Sequence, residues 1–263
     1  MEKGFISLVF FTVLCQSAVG LFIIRELMLV FTPGNFTGDK ILRINTLTAT
    51  ETILLLALII AFFHLGKPLS AVHTLNNLKS SWLSREILFV IIFSAVILAY
   101  MAAEKFMQPG NARYLFSAAG IIAGAGLIIS MTGIYMLRAV PAWNSLFTPA
   151  GFILTAATMG TTAFVFFDAG SRSSSPLMVI FAVSVILSLA ITLAAISGIH
   201  SLNISFLVIR LVTGLTVLTA VFLIYFSIIP NKMPVRLVLI VVMLLSELTG
   251  RYIFFLNYYK SGL

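Results

Sequence analysis

Five side chains in this sequence combine an ionisable group with an apolar setting: His64, Glu86, Arg210, Glu247 and Arg251. His64 closes one long apolar run and Glu86 opens the next. Arg210 falls in the first turns of another run, and Glu247 and Arg251 lie late in the last. Charge inside a membrane segment is costly enough that each is a functional candidate by default. A carboxyl and an imidazole at such a depth can take up and pass on protons near neutral pH. They suit a ligand that gives up protons together with electrons. A quinol is such a ligand: flat, apolar-tailed and membrane-dissolved, with two hydroxyls that need hydrogen-bond partners.

Each residue also has a plainer reading. Ser84 followed by Glu86 has the pattern of a helix N-terminus, and a histidine at a helix end often bonds a backbone carbonyl. Glu247 and Arg251 are four apart and can pair on one helix face. Trp82 and Trp143 fall in loops, where aromatic rings anchor at the membrane interface; Trp143 is also placed to touch a ligand or partner. Glu51 reads as a residue near a helix end that could extend a proton path. Arg25 and Glu26 read as the end of the first run, with no function assigned.

The elements that position these residues are membrane spans. The chain has 263 residues, of which 60% are apolar and 9% charged. A soluble domain carries about 25% charged residues, so an ordinary cytosolic enzyme and a nucleic-acid-binding domain are excluded. The formal charge of +8 fits basic loops beside anionic headgroups. A bilayer core needs about 20 apolar helical residues. Eight runs qualify, near 5–31, 44–64, 86–103, 113–138, 149–168, 176–198, 204–229 and 236–257. The expectation is an all-α, polytopic eight-helix bundle forming a single membrane domain over 1–263. Residues 173–209 hold no Asp, Glu, Lys or Arg. One helix of that length would be about 55 Å long, so a hairpin is expected at Gly198–Asn203. Gly120 and Gly124 have the spacing of a helix-packing motif.

Eight spans place both termini on one face. The loops after the second, fourth and sixth spans share that face, and all five candidates lie toward it. Basic residues outside the spans divide almost evenly between the faces, so the positive-inside rule sets no orientation. One cysteine, Cys15, allows this chain alone no iron–sulfur cluster and no Cys-rich zinc site; three histidines leave little room for haem ligation, with paired helical histidines facing each other absent, and no metal site is expected.

Three segments then carry a resemblance: HLGKPLSAVHTLNNLKSSWLSREI at 64–87, VPAWNSLFTPAGFILTA at 140–156 and SELTGRYIFF at 246–255. In this order, the chain resembles the membrane-anchor subunit family of dimethyl sulfoxide reductases nearly end to end. The resemblance implies a haem-free anchor of a heterotrimer in the bacterial inner membrane, with termini toward the periplasm. It implies oxidation of menaquinol, a diffusible redox substrate. Electrons would go to an iron–sulfur subunit with several cubane clusters, docked on the face shared by the termini. That subunit would feed a molybdopterin-guanine-dinucleotide catalytic subunit that reduces sulfoxides or amine N-oxides. The anchor would not act on the terminal substrate itself. His64 and Glu86 match the family's quinol-site positions, with Arg210, Glu247, Arg251 and Trp143 expected around them. Lys67 and Arg85 depart from the pattern. They add two positive charges that would either bias ionisation at the site or meet an acidic partner surface.

Three other readings make different predictions. A transporter predicts inverted repeats and broken helices, and no internal repeat is present. A purely structural anchor predicts that Glu86 is dispensable. A cytochrome b-type subunit predicts a haem absorption band.

Overall fold

The computed structural model describes residues 2–31, 39–62, 75–107, 110–167, 175–196, 204–226, 228 and 232–260. Within them lie eight α-helices, each long and apolar enough to cross a membrane. They are α1 (Glu2–Phe31), α2 (Lys40–Phe62), α3 (Trp82–Phe106), α4 (Ala112–Tyr135), α5 (Phe147–Phe167), α6 (Ser175–Ile196), α7 (Ile204–Tyr225) and α8 (Met233–Lys260). A short 3-10 turn at Leu75–Asn77 precedes α3. No strand occurs among the described residues. The expected all-α membrane bundle is what forms, and the chain is a multi-pass membrane protein.

Helix ends differ from the sequence expectation by a few residues, for local reasons. α2 begins at Lys40 because the Asp39 carboxylate accepts from Leu42 N at 2.9 Å, satisfying a donor that the first turn leaves free. α3 begins at Trp82 because Ser81 is the cap, its hydroxyl accepting from Ser84 N at 3.3 Å. α4 stops at Tyr135, and residues 136–146 coil through successive turns. α6 and α7 are separate helices on either side of residues 197–203. The hairpin expected at Gly198–Asn203 lies outside the described residues.

α1 is the centre of the bundle. Of its most apolar stretch 72% is buried, more than in any other span. It packs on α2, α4, α5 and α8. Its crossing with α5 is made by two glycines. A Cβ on Gly20 would stand 1.8 Å from the Ala156 carbonyl oxygen, and one on Gly160 would stand 2.3 Å from the Gly20 carbonyl carbon. Close backbone approach through small residues is how helices pack in lipid, where apolar burial alone gives no drive to associate. Gly120 and Gly124 of α4 instead make room for side chains of α1, Phe22 and Val19.

Contacts between helix ends define two faces. Phe5 of α1 meets Tyr252 and Phe255 of α8, and Tyr135 of α4 meets Phe152 of α5. The face that holds them is the one on which α1 starts and α8 ends. At the opposite face the late part of α1 and the joints α2/α3/α4 converge. Most helix hydroxyls are satisfied within their own helix: Thr12, Ser17, Thr50, Thr158 and Thr162 each donate to a carbonyl one turn back.

Candidate functional site

Glu86 is the fifth residue of α3, about 6 Å along the helix from its start at 1.5 Å per residue. Because Ser81 is the cap, Glu86 stands a full turn inside the helix and is not a capping residue. Its side chain is 4% exposed. Among the described residues its carboxyl has no hydrogen-bond partner. It interacts electrostatically with Cys15 of α1 and Tyr135 of α4, both buried. Arg85, beside it in sequence, is held elsewhere: it donates to the Leu78 and Lys79 carbonyls at 2.8 and 2.6 Å and stacks over Trp82 at 4.2 Å. His64 and Lys67 lie outside the described residues.

Tyr135 stands in an aromatic box of Trp143, Phe152, Phe254 and Phe255, with ring centroids 5.2–5.9 Å away. The loop at 136–146 turns Trp143 inward. The indole is buried rather than set at the interface, donates to the Phe254 carbonyl at 2.8 Å and stacks on the Phe254 ring. It therefore shapes the box; Trp82, 41% exposed, is the tryptophan at the edge.

Beyond the box lies a buried polar network joining α1, α5, α6, α7 and α8. Glu247 and Arg251 do not form the expected pair along α8. Glu247 instead meets Arg210 of α7 at 3.5 Å and accepts from Thr155 of α5 at 2.7 Å. Arg251 donates to Gln16 of α1 at 2.6 Å, lies 3.4 Å from the Thr155 hydroxyl and stacks over Phe152 at 4.0 Å. Arg210 donates to Thr192, Ser246 O and Ser188 at 2.8, 2.7 and 2.6 Å. Gly250 makes room for that guanidinium: a Cβ there would stand 2.1 Å from Nη1. A cavity of about 80 Å³ opens among these groups, lined by Thr148, Thr155, Ser188, Thr192, Arg210, Glu247 and Arg251 and walled by Phe147, Phe152 and Phe254. The candidates Arg251, Glu247 and Arg210 thus meet in one network, and Glu86 stands on the far side of the aromatic box from it. Tyr135 packs on Phe152 and Phe254, and Arg251 lies over both of those rings, so the aromatic box joins the two parts.

Sequence reasoning missed two features. Tyr135 and Gln16 were not singled out, and Cys15 was read only for what a single cysteine excludes, because a lone Tyr, Cys or Gln in an apolar run carries no signal of its own. The second is a buried charge cluster at the opposite face. Arg25 of α1 pairs with Glu26 and lies 3.9 Å from Glu104 of α3; Glu104 also meets Arg43 of α2 at 3.1 Å and Arg113 of α4 at 3.2 Å. Ser117 donates to Glu26. Arg25–Glu26 therefore lies inside the bundle as part of a lock across four helices. Glu51 is also displaced from its expected position: it sits midway along α2, 5% exposed, and accepts from Ser94 of α3 at 2.6 Å.

Comparison with known proteins agrees with this architecture. The family model described as DMSO reductase anchor subunit (DmsC) matches residues 1–256. The protein is 29% identical over 163 residues to one of the chains of the anaerobic dimethyl sulfoxide reductase of Haemophilus influenzae, covering 60% of this chain and 56% of that protein. It is 32% identical over 152 residues to the like-named chain of the Escherichia coli enzyme, covering 56% and 52%. It is 28% identical over 169 residues to one of the subunits of the sulfite dehydrogenase of Allochromatium vinosum, covering 59% and 52%. The matched stretches span about half the length of each relative. With eight membrane-spanning helices and a family match over nearly its whole length, this chain belongs to the DMSO reductase anchor subunit family.

Proposed function

We propose that this chain anchors a molybdopterin oxidoreductase to the bacterial inner membrane and is the subunit at which menaquinol is oxidised. The electrons pass to an iron–sulfur subunit and from there to the catalytic subunit, in a heterotrimer. The observation that carries this reading is Glu86: a carboxyl buried within a membrane span, without a hydrogen-bond partner among the described residues. A group left so is costly as structure and is suited to take a proton from a ligand hydroxyl. His64, at the matching family position, serves the second hydroxyl. The aromatic box of Tyr135, Trp143 and Phe254 gives the flat, apolar surroundings a quinol ring favours.

The relatives are named for a dimethyl sulfoxide reductase and for a sulfite dehydrogenase. For this chain we read that breadth as a division of labour: the anchor handles the quinone pool and the catalytic partner chooses the terminal substrate. The test is steady-state oxidation of a water-soluble menaquinol analogue by the assembled complex, with Glu86→Gln and Glu86→Asp compared at equal assembly. Loss of a general base costs about 10²–10⁴ in rate, so Glu86→Gln is expected to fall by at least about a hundredfold, with Asp partly active. Wild-type turnover in Glu86→Gln refutes the reading and leaves a purely structural anchor.

A further inference from the structure

We infer that the polar cavity between α5, α6, α7 and α8 is the outlet through which the protons of quinol oxidation reach water, with Glu247 as the last carboxylate on the way. This rests on the reading of Glu86 above and extends it to groups that do not touch the ligand.

Size decides what the cavity holds. Pockets for organic ligands are about 300–1,000 Å³, so about 80 Å³ is too small for a quinol ring. A water molecule's share of liquid volume is about 30 Å³, and a buried water needs two to four polar partners. The cavity has space for a few waters, and its wall supplies the hydroxyls of Thr148, Thr155, Ser188 and Thr192 with the Glu247 carboxylate.

Connectivity points the same way. From Glu86 the next titratable group toward the cavity is Tyr135, whose ring packs on Phe152 and Phe254, the two rings that Arg251 lies over at 4.0 and 5.5 Å. Arg251 lies 3.4 Å from the Thr155 hydroxyl, and Thr155 donates to Glu247 at 2.7 Å. Gln16 Nε2 and Arg251 Nε are buried here without a partner, so two donors stand ready for water between Tyr135 and Thr155.

The balance is simple. Breaking both O–H bonds of the quinol gives the quinone, two electrons and two protons. The electrons go to the partner's iron–sulfur subunit. The protons leave one after the other: Glu86 takes each, the Tyr135 phenol receives one on oxygen as it releases its own, and water carries it to Glu247 and the cavity.

The test uses the assembled complex, a water-soluble menaquinol analogue and a fluorescent quinol-site inhibitor. Glu247→Gln keeps the neutral hydrogen bonds, and Thr155→Val leaves every charge in place in case the first variant assembles poorly. Both should bind the inhibitor as wild type does but lose turnover. Their solvent deuterium isotope effect should rise, and azide or formate should restore the rate as diffusible proton carriers. Wild-type turnover in both variants, or slow turnover that neither acid restores, overturns the outlet. Those outcomes are separable from failure of the quinol site itself, which shows as wild-type turnover in Glu86→Gln.

Discussion

Adding a single methyl group at Gly250 should have opposite effects in two backgrounds. A Cβ there would stand 2.1 Å from Arg210 Nη1 and 2.2 Å from its Cζ. Non-bonded heavy atoms do not approach so closely, so the guanidinium must retreat by about 1 Å. A retreat of that size takes its bonds to Ser246 O and Ser188, at 2.7 and 2.6 Å, out of hydrogen-bonding reach, and the contact to Glu247 at 3.5 Å lengthens. A hydrogen bond to a charged group contributes about 1.5–3 kcal/mol, so two of them account for roughly 3–6 kcal/mol. Replacing Gly by Ala inside a helix returns about 1 kcal/mol. The net loss is about 2–5 kcal/mol. At about 2–4 °C per kcal/mol for a chain of this size, the midpoint should fall by about 4–20 °C. In an Arg210→Ala background nothing remains to collide, and Gly250→Ala should be neutral or stabilising by up to about 1 kcal/mol. Thermal unfolding of the four purified proteins in one detergent completes the cycle. Equal destabilisation in both backgrounds would refute the assignment of Gly250 as the seat of Arg210.

Other perturbations follow the same logic. Glu104→Leu removes the carboxylate that Arg25, Arg43 and Arg113 share in the α1–α4 cluster and should cost about 3–5 kcal/mol, read as a lowered unfolding midpoint and poor recovery of monodisperse protein. Gly20→Val forces α1 off α5 at the Ala156 carbonyl; assembled protein in membranes should be nearly lost, whereas Gly151→Ala, where an added Cβ meets nothing, should accumulate normally. Trp143→Phe keeps the ring stack but removes the bond to the Phe254 carbonyl, and should lower stability by about 1 kcal/mol with inhibitor binding retained.

Much of the fold was legible in the sequence because lipid makes hydrophobicity and length decisive. Each span declares itself by a long apolar run, and Gly120 and Gly124 announce a close contact. Helix ends were harder. Ser81 and Asp39 set the starts of α3 and α2, yet each is one polar residue among several equally plausible caps. Glu86, Arg210, Glu247 and Arg251 stood out because charge is rare in such runs. Their pairing did not. The i, i+4 rule joins Glu247 to Arg251 on an isolated helix, but α7 brings a second guanidinium that the one-dimensional pattern does not contain. The cluster at Glu104 was hidden for the same reason: Arg43 and Arg113 read as loop charges until α1 carries Arg25 between them.

The central place of α1 has a consequence for how the protein is made. The helix with the most buried surface, α1, is made before those that cover it, and two of its settings, on α5 and α8, belong to segments made much later. At about 5–20 residues per second, 263 residues take roughly 13–50 s to synthesise. For most of that interval Gln16 has no Arg251 to meet, and Arg25 waits for α2, α3 and α4. α1 must therefore persist in the bilayer as a provisional span, carrying polar groups that only later arrivals can cover. The final bundle closes around a helix made before its partners, so an arrest of translation before α8 leaves α1 exposed to quality control.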